Sequence, residues 1–219
     1  MFLPEPMRRP LLWLLAVLLP LYIAWQLPGL YRGAITAAEA DTYLSTLAAR
    51  PLPPAARDEL LLAARRFMAD DDGRPVYMLN LMRYHPALQR AADSPAFDGT
   101  PREANARYES LAMPLLFHHG GQPLYGGEAS GDNLLTQDAA LNHWSRVLVI
   151  RYPSRRAFMD LVTDPAYAPI VPYKLMALQV VLTPTASEVV LPLLWPVALV
   201  LWLLTLWGLW RGARRGGAA

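Results

Sequence analysis

The residues able to do chemistry are few and scattered. Four histidines occur, His85, His118, His119 and His143, and none lies in an HExxH or two-His-one-carboxylate pattern. His118 and His119 end a helical segment, where an imidazolium near the C-terminal dipole is favoured. Adjacent helical residues point about 100° apart, so the pair does not converge on one metal. No metal is therefore expected and helix-end capping is the main reading of the pair, with His118 kept as the ligand-binding candidate, the one that would ligate a metal or haem. With no cysteine, thiol nucleophiles, Cys-ligated zinc, iron–sulfur clusters and disulfide scaffolds are excluded.

Asn80 is the more informative residue. It interrupts the apolar run Pro75-Val76-Tyr77-Met78-Leu79-Asn80-Leu81-Met82-Arg83-Tyr84 on the face of Met78 and Met82, so it is a buried amide in need of partners. It either bonds neighbouring backbone or orients a ligand in an apolar pocket, and both readings stay open. Arg83 shares a face with Tyr77 and is placed either to bind an anion or to pair with Glu109. Tyr108, Trp144, Tyr152 and Tyr167 are expected to line the space between sheet and helices, as core or as pocket wall. Asp160 and Asp164 lie four residues apart, but a solvated carboxylate and an N-cap account for them without acid–base chemistry. No P-loop, GxGxxG or GxSxG motif occurs, so no cofactor is expected. The Asp70-Asp71-Asp72-Gly73 run lacks the alternating ligand spacing of a calcium loop.

The elements that must position these residues follow from periodicity. Residues 36–50 and 54–70 read as two helices split by Pro51-Leu52-Pro53-Pro54, with Thr36 and Glu39 spaced as a capping box. A strand at 75–84 is followed by a helix from Pro101 to His119, stopped by Gly120-Gly121 and interrupted by Pro114. Strands at 122–128 and 144–152 come next, the latter carrying the consecutive Val147-Leu148-Val149-Ile150 that marks burial on both faces. A helix at 155–162, a short helix opened by Asp164-Pro165 and a strand at 180–183 complete the series. The fold class is α+β: a ferredoxin-like β-α-β-β-α-β domain behind a helical prefix. Strands one and three look apolar on both faces, so a second copy's sheet is the economical cover, and a homodimer is expected.

Several of these residues together resemble a known family. Asn80-Leu81-Met82-Arg83-Tyr84, Tyr108, Gly120-Gly121, Trp144, Tyr152-Pro153-Ser154-Arg155-Arg156-Ala157-Phe158 and Asp164-Pro165-Ala166-Tyr167 look like domain-of-unknown-function family 1330. The likeness covers about residues 75–185. It implies a dimeric α/β-barrel, ferredoxin-like fold shared with small monooxygenases, isomerases and haem-handling proteins. Members of that family tend to carry His-Arg after the last helix, where this chain has Tyr173-Lys174, so no catalytic histidine is carried over.

Both ends of the chain differ in kind from its middle. Of 219 residues, 54% are hydrophobic and 17% charged, and mean hydropathy is +0.18. That excludes intrinsic disorder. The excess sits in two uncharged runs, Pro10 to Tyr31 and Val189 to Trp210, each long enough for a membrane helix. Pro20 should kink the first, and Gly208 with Gly212 in the second has GxxxG spacing. Arg8 and Arg9 also make a signal-peptide n-region, with Ala38-Glu39-Ala40 as a small-residue cleavage pattern, but the apolar run is long for a signal and a retained anchor is expected.

Residues 1–31 and 189–219 carry a net +4 and residues 32–188 a net −2, which together make the +2 of the chain. The basic pI of about 9.0 is therefore an orientation signal. It places both termini in the cytoplasm and the middle outside it. The domain plan is an anchor at 1–31, a helical linker region at 32–74, the ferredoxin-like domain at 75–188, and a second membrane helix with basic tail at 189–219. Twenty Lys and Arg residues are all arginine except Lys174, a usage that suggests a GC-rich bacterial genome and hence an inner-membrane protein with a periplasmic domain. The middle lacks a basic stripe, so no nucleic-acid partner is expected. Expected partners are the lipid bilayer, a second copy and a small apolar or aromatic ligand. The functional expectation is a membrane-tethered binding module, with a cofactor-independent monooxygenase or isomerase as the alternative.

Overall fold

The computed structural model describes residues 5–26, 33–91, 94–131, 134–135, 138, 140, 142–185 and 194–216. The chain divides into two units, Tyr31–Glu188 and a second made of Met1–Leu30 with Val189–Ala219.

The terminal unit holds α1 (Glu5–Gln26) and α7 (Leu194–Gly216), which pack side by side. Trp202 Nε1 donates to the Ala16 carbonyl at 3.0 Å, and Gly208 lies against Leu12, so this glycine's close approach is within the chain. Pro10 and Pro20 lie inside α1. Trp13, Leu14, Leu21, Val200, Leu204 and Trp207 are each more than half exposed. Among the described residues, no helix is long and apolar enough to cross a membrane. The two spans expected from the sequence are therefore not supported. Trp25 and Gly212 lie outside the described side chains.

The larger unit opens with α2 (Ala37–Ala48) and α3 (Pro54–Ala69). Thr36 and Glu39 form the expected capping box, and Pro54 occupies the first turn of α3. The cleavage-like triplet Ala38-Glu39-Ala40 thus lies in the first turn of a helix. Leu47, Ala64 and Met68 bury against Met159 of α5 (Arg155–Thr163). The prefix is also tied by polar bonds: the Tyr43 hydroxyl donates to Asp160, Arg50 to the Val162 carbonyl, and Arg156 pairs with Glu39. Asp160, expected to be a solvated carboxylate, is thus an anchor for the prefix.

Four antiparallel strands form one sheet: β1 (Val76–Tyr84), β2 (Gln122–Glu128), β3 (Arg146–Tyr152) and β4 (Leu178–Thr185), in the order β2-β3-β1-β4. With α4 (Pro101–His118) between β1 and β2, and α5 and α6 (Val171–Ala177) between β3 and β4, this α+β arrangement is compatible with a ferredoxin-like fold. The end of α4 shows how local chemistry sets the geometry. Gly120 adopts φ +78°, Gly120 N–H donates to the Phe117 carbonyl and Gly121 N–H to that of Leu116. This pairing satisfies two last-turn carbonyls and needs a residue without Cβ. A Cβ on Gly121 would fall 2.7 Å from Leu116 Cγ.

Asp164 does not open a helix as expected. Its Oδ1 accepts from Ala166 N–H at 2.7 Å in a turn, and helix resumes only with the 3-10 turn Ala168–Ile170.

The two sheet faces differ. Val76, Met78, Asn80 and Met82 of β1 face the helices and are buried. On the other face Leu79 pairs with Val149 and Thr183, and Leu81 with Val147 and Val181. These apolar residues are only partly buried, and Val181 is 46% exposed.

Candidate functional site

Strand alternation and helical spacing converge on one cavity. The register sets Asn80 opposite Leu148 of β3 and Leu182 of β4, so the helix-facing side of the sheet forms its floor. Asn105, Tyr108, Glu109 and Ala112 recur at three- and four-residue spacing on α4 and form the opposite wall. Tyr167, from the turn after α5, and Lys174, from α6, close one side. The cavity measures about 640 Å³ counting the solvent in its mouth.

Asn80 is 3% exposed. Its Nδ2 donates to the carbonyls of Met78 at 3.3 Å and Leu148 at 3.5 Å. Those bonds turn Oδ1 toward Lys174, whose Nζ donates to it at 3.1 Å. The backbone reading of Asn80 therefore holds for its nitrogen, and its oxygen accepts from Lys174.

The Lys174 ammonium also sits over the Tyr108 ring, 5.3 Å from its centroid. Among the described residues, no carboxylate lies within ion-pair distance of it. Burial pushes the ammonium down to about 8, with the Glu109 charge acting in the opposite sense. An ammonium has three donors, and among the described residues one protein acceptor is present. The cavity thus contains a cation whose remaining hydrogen-bonding capacity is open to a bound molecule.

The other polar groups are arranged around it. The hydroxyls of Tyr108 and Tyr167 share a 2.8 Å hydrogen bond. Burial raises the pKa of both, and of Tyr152, so all three remain neutral hydroxyls in the physiological range. Glu109 Oε1 accepts from Arg146 Nη1 at 2.7 Å and from Asn105 Nδ2 at 3.1 Å. Asn105 is 1% exposed, and its Oδ1 is buried with no hydrogen-bond partner among the described residues.

Of the residues singled out from sequence, Asn80, Tyr108, Tyr152 and Tyr167 line this cavity. Arg83, Trp144 and His118 do not. Arg83 lies over the Trp144 ring at 4.5 Å and donates to the carbonyls of Ala140, Asn142 and His143 and to Gln179 Oε1. It does not pair with Glu109, whose cation is Arg146. His118 is exposed at the end of α4, edge-on to His119. His119 Nε2 lies 2.9 Å from Asp164 Oδ2, and this hydrogen bond holds the Asp164 carboxyl below its usual range. Among the described residues no group of three His, Cys, Asp or Glu could hold a metal.

Sequence reasoning missed Lys174, Glu109 and Asn105 as wall residues. One signal pointed to the first: a lone lysine in a chain that otherwise uses arginine. Arginine stays protonated in proteins, whereas a buried lysine can give up its proton.

No family model matches the chain, and no curated protein matches it. Among solved structures it is similar to a protein of unknown function from Rhodopseudomonas palustris. The TM-score is 0.50 and the identity 26%, over 58% of this chain and 92% of that one. A methylated form of the same protein gives 0.49 and 26%, over 59% and 93%. SnoaB, a cofactor-independent oxygenase from Streptomyces nogalater, aligns at TM-score 0.36 and 13% identity, over 54% of this chain and 98% of that one.

Proposed function

We propose that residues 31–188 form a small-molecule-binding domain. Its cavity would take a compact, mostly apolar or aromatic molecule with one oxygen acceptor seated on the Lys174 ammonium. The observation that carries this reading is a buried cation with, among the described residues, one protein acceptor, Asn80 Oδ1, at the wall of a mostly apolar and aromatic cavity. Tyr108, Tyr152 and Tyr167 supply flat walls and neutral hydroxyls, and the partnerless Asn105 Oδ1 offers an acceptor for a ligand donor. The apolar sheet face around Leu79, Leu81, Val147 and Val149 is the surface for a second copy, giving the dimeric α/β-barrel arrangement that the likeness to family 1330 implies. Helices α1 and α7, with their exposed leucines and tryptophans, would tether the domain to the inner membrane and present it outside the cytoplasm.

The test is native mass spectrometry of the full chain in mild detergent, with a panel of phenols and benzoates added. A dimer that retains a small molecule, with at least tenfold weaker retention in Lys174→Met, is the expected result. A monomer that stays empty throughout would overturn it. The tether has its own check: the chain should resist alkaline carbonate extraction, and a C-terminal reporter active only in the periplasm would reverse the orientation.

One observation favours the enzymatic alternative, a cofactor-independent oxidation or isomerisation. Lys174 lines the cavity with no carboxylate within ion-pair distance among the described residues, and burial pushes its ammonium down to about 8, so it is placed to accept a proton from an acidic C–H or O–H of a bound molecule.

A further inference from the structure

We propose that Lys174 is an imine-forming residue and that the cavity accepts small aldehydes or ketones with an apolar or aromatic body. The inference rests on the binding reading above and adds a covalent step to it. Lys174 Nζ is held by Asn80 Oδ1 at 3.1 Å and by the Tyr108 ring, inside a cavity with an open mouth. Among the described residues it has no carboxylate partner to keep it charged. A desolvated lysine in an apolar pocket is activated as a nucleophile because burial favours the free amine.

The titratable groups lining the same cavity are Glu109 and Tyr108 from α4, Tyr152 from β3 and Tyr167 from the turn before α6. Glu109 is itself bonded to Arg146 of β3, which weakens its hold on the Lys174 proton. With its ammonium lowered to about 8, roughly a tenth of Lys174 is free amine at pH 7. That is a few hundredfold more than for an exposed lysine.

The chemistry balances without any oxidant or reductant. The ammonium first releases a proton to solvent. The Nζ lone pair then forms a bond to the carbonyl carbon as the C–O π bond opens, and a proton passes from nitrogen to oxygen to give a carbinolamine. Expulsion of that oxygen breaks the remaining C–O bond, and both amine hydrogens leave with it as one molecule of water. The product is the C=Nζ imine. Neutral tyrosine hydroxyls line the cavity around this centre, able to donate hydrogen bonds to the carbonyl oxygen.

Because Lys174 is the only lysine of the chain, the test is unusually clean. The full-length protein is incubated with benzaldehyde and cyanoborohydride between pH 6 and 9, and adducts are located by peptide mass mapping. In parallel, benzyl alcohol, which has the same body but cannot form an imine, is titrated by calorimetry. The expected result is a reduced adduct on Lys174 at pH 7, formed roughly a hundredfold faster than on a lysine peptide. Its rate should rise through pH 8, and the adduct should be absent in Lys174→Arg, whose fold is checked by circular dichroism. Benzyl alcohol binding with labelling confined to the α-amino group, or no faster than the peptide, would overturn the imine while leaving the binding site intact. Failure of both probes would remove the imine together with the binding reading.

Discussion

Arg83 and Lys174 are among the cations of this domain that sit over aromatic rings, they lie on opposite sides of one sheet, and they have opposite characters. Arg83 over Trp144 directs its guanidinium to three backbone carbonyls and to Gln179 Oε1. Lys174 over Tyr108 has, among the described residues, a single side-chain acceptor, Asn80 Oδ1, and a cavity beside it. The cation–π contact is common to both and decides nothing. The distinction is saturation: Arg83 clamps the loop before β3 to β1 and β4, whereas Lys174 has donors left for a bound molecule. Asn80 and Arg83 are three residues apart on β1, so strand alternation alone sends one inward and the other outward.

Substitutions can break or sharpen this contrast. The largest stability effect is expected at Asn80, where Asn80→Ala opens a void in a buried row and leaves the Lys174 ammonium without its acceptor. A loss of about 2–3 kcal/mol in urea unfolding is expected, together with loss of ligand retention. Lys174→Met should act in the opposite direction. Its folded-state pKa is lowered, so the cost of the buried charge is fully present below about pH 8 and is relieved as pH rises toward the ordinary lysine range. Thermal melts should therefore show Lys174→Met a few degrees above the wild type at pH 7, with the gap closing toward pH 10.5. A gap that is constant with pH would show that the ammonium is not desolvated.

Arg83→Ala should cost about 1–2 kcal/mol through the freed loop carbonyls, with retention of phenols unchanged. If retention fell with it, the two cations would not be separable. The smallest change is expected at Tyr108→Phe, which keeps the ring under Lys174 and removes only the hydroxyl bond to Tyr167. About 1 kcal/mol or less is expected in the same unfolding assay, and the Lys174 contact should persist.

Much of the fold was legible in the chain because local periodicity survives folding. Val147-Leu148-Val149-Ile150 marked β3, Thr36 with Glu39 marked the start of α2, and Gly120-Gly121 marked the end of α4. The site was legible only in part. Trp144 shares its parity with Leu148 and Ile150, and an unbroken strand would have carried it into the cavity. The strand instead begins at Arg146, after His143 takes φ +61°, and Ser145 N–H donates to the Met82 carbonyl. Trp144 stacks on Arg83 as a result. The sequence offered Arg83 as the cation for Glu109, and the register of β3 brings Arg146 there instead.

The sequence by itself determined the elements, their order and the burial of an amide at Asn80, because those depend on residue type and on spacing of two, three or four positions. It also determined that charge at the two ends differs from charge in the middle. Only the tertiary structure decided the site. Lys174 and Asn80 are 94 residues apart, and no local pattern relates a residue on a seven-residue helix to the centre of a strand so far upstream. Their meeting requires α6 to pack against α4 and β1 to lie beside β4, and that same packing removes water from the ammonium and shifts its proton affinity. Burial is a property of the assembled layers, so the chemistry that depends on it was settled only when the layers closed.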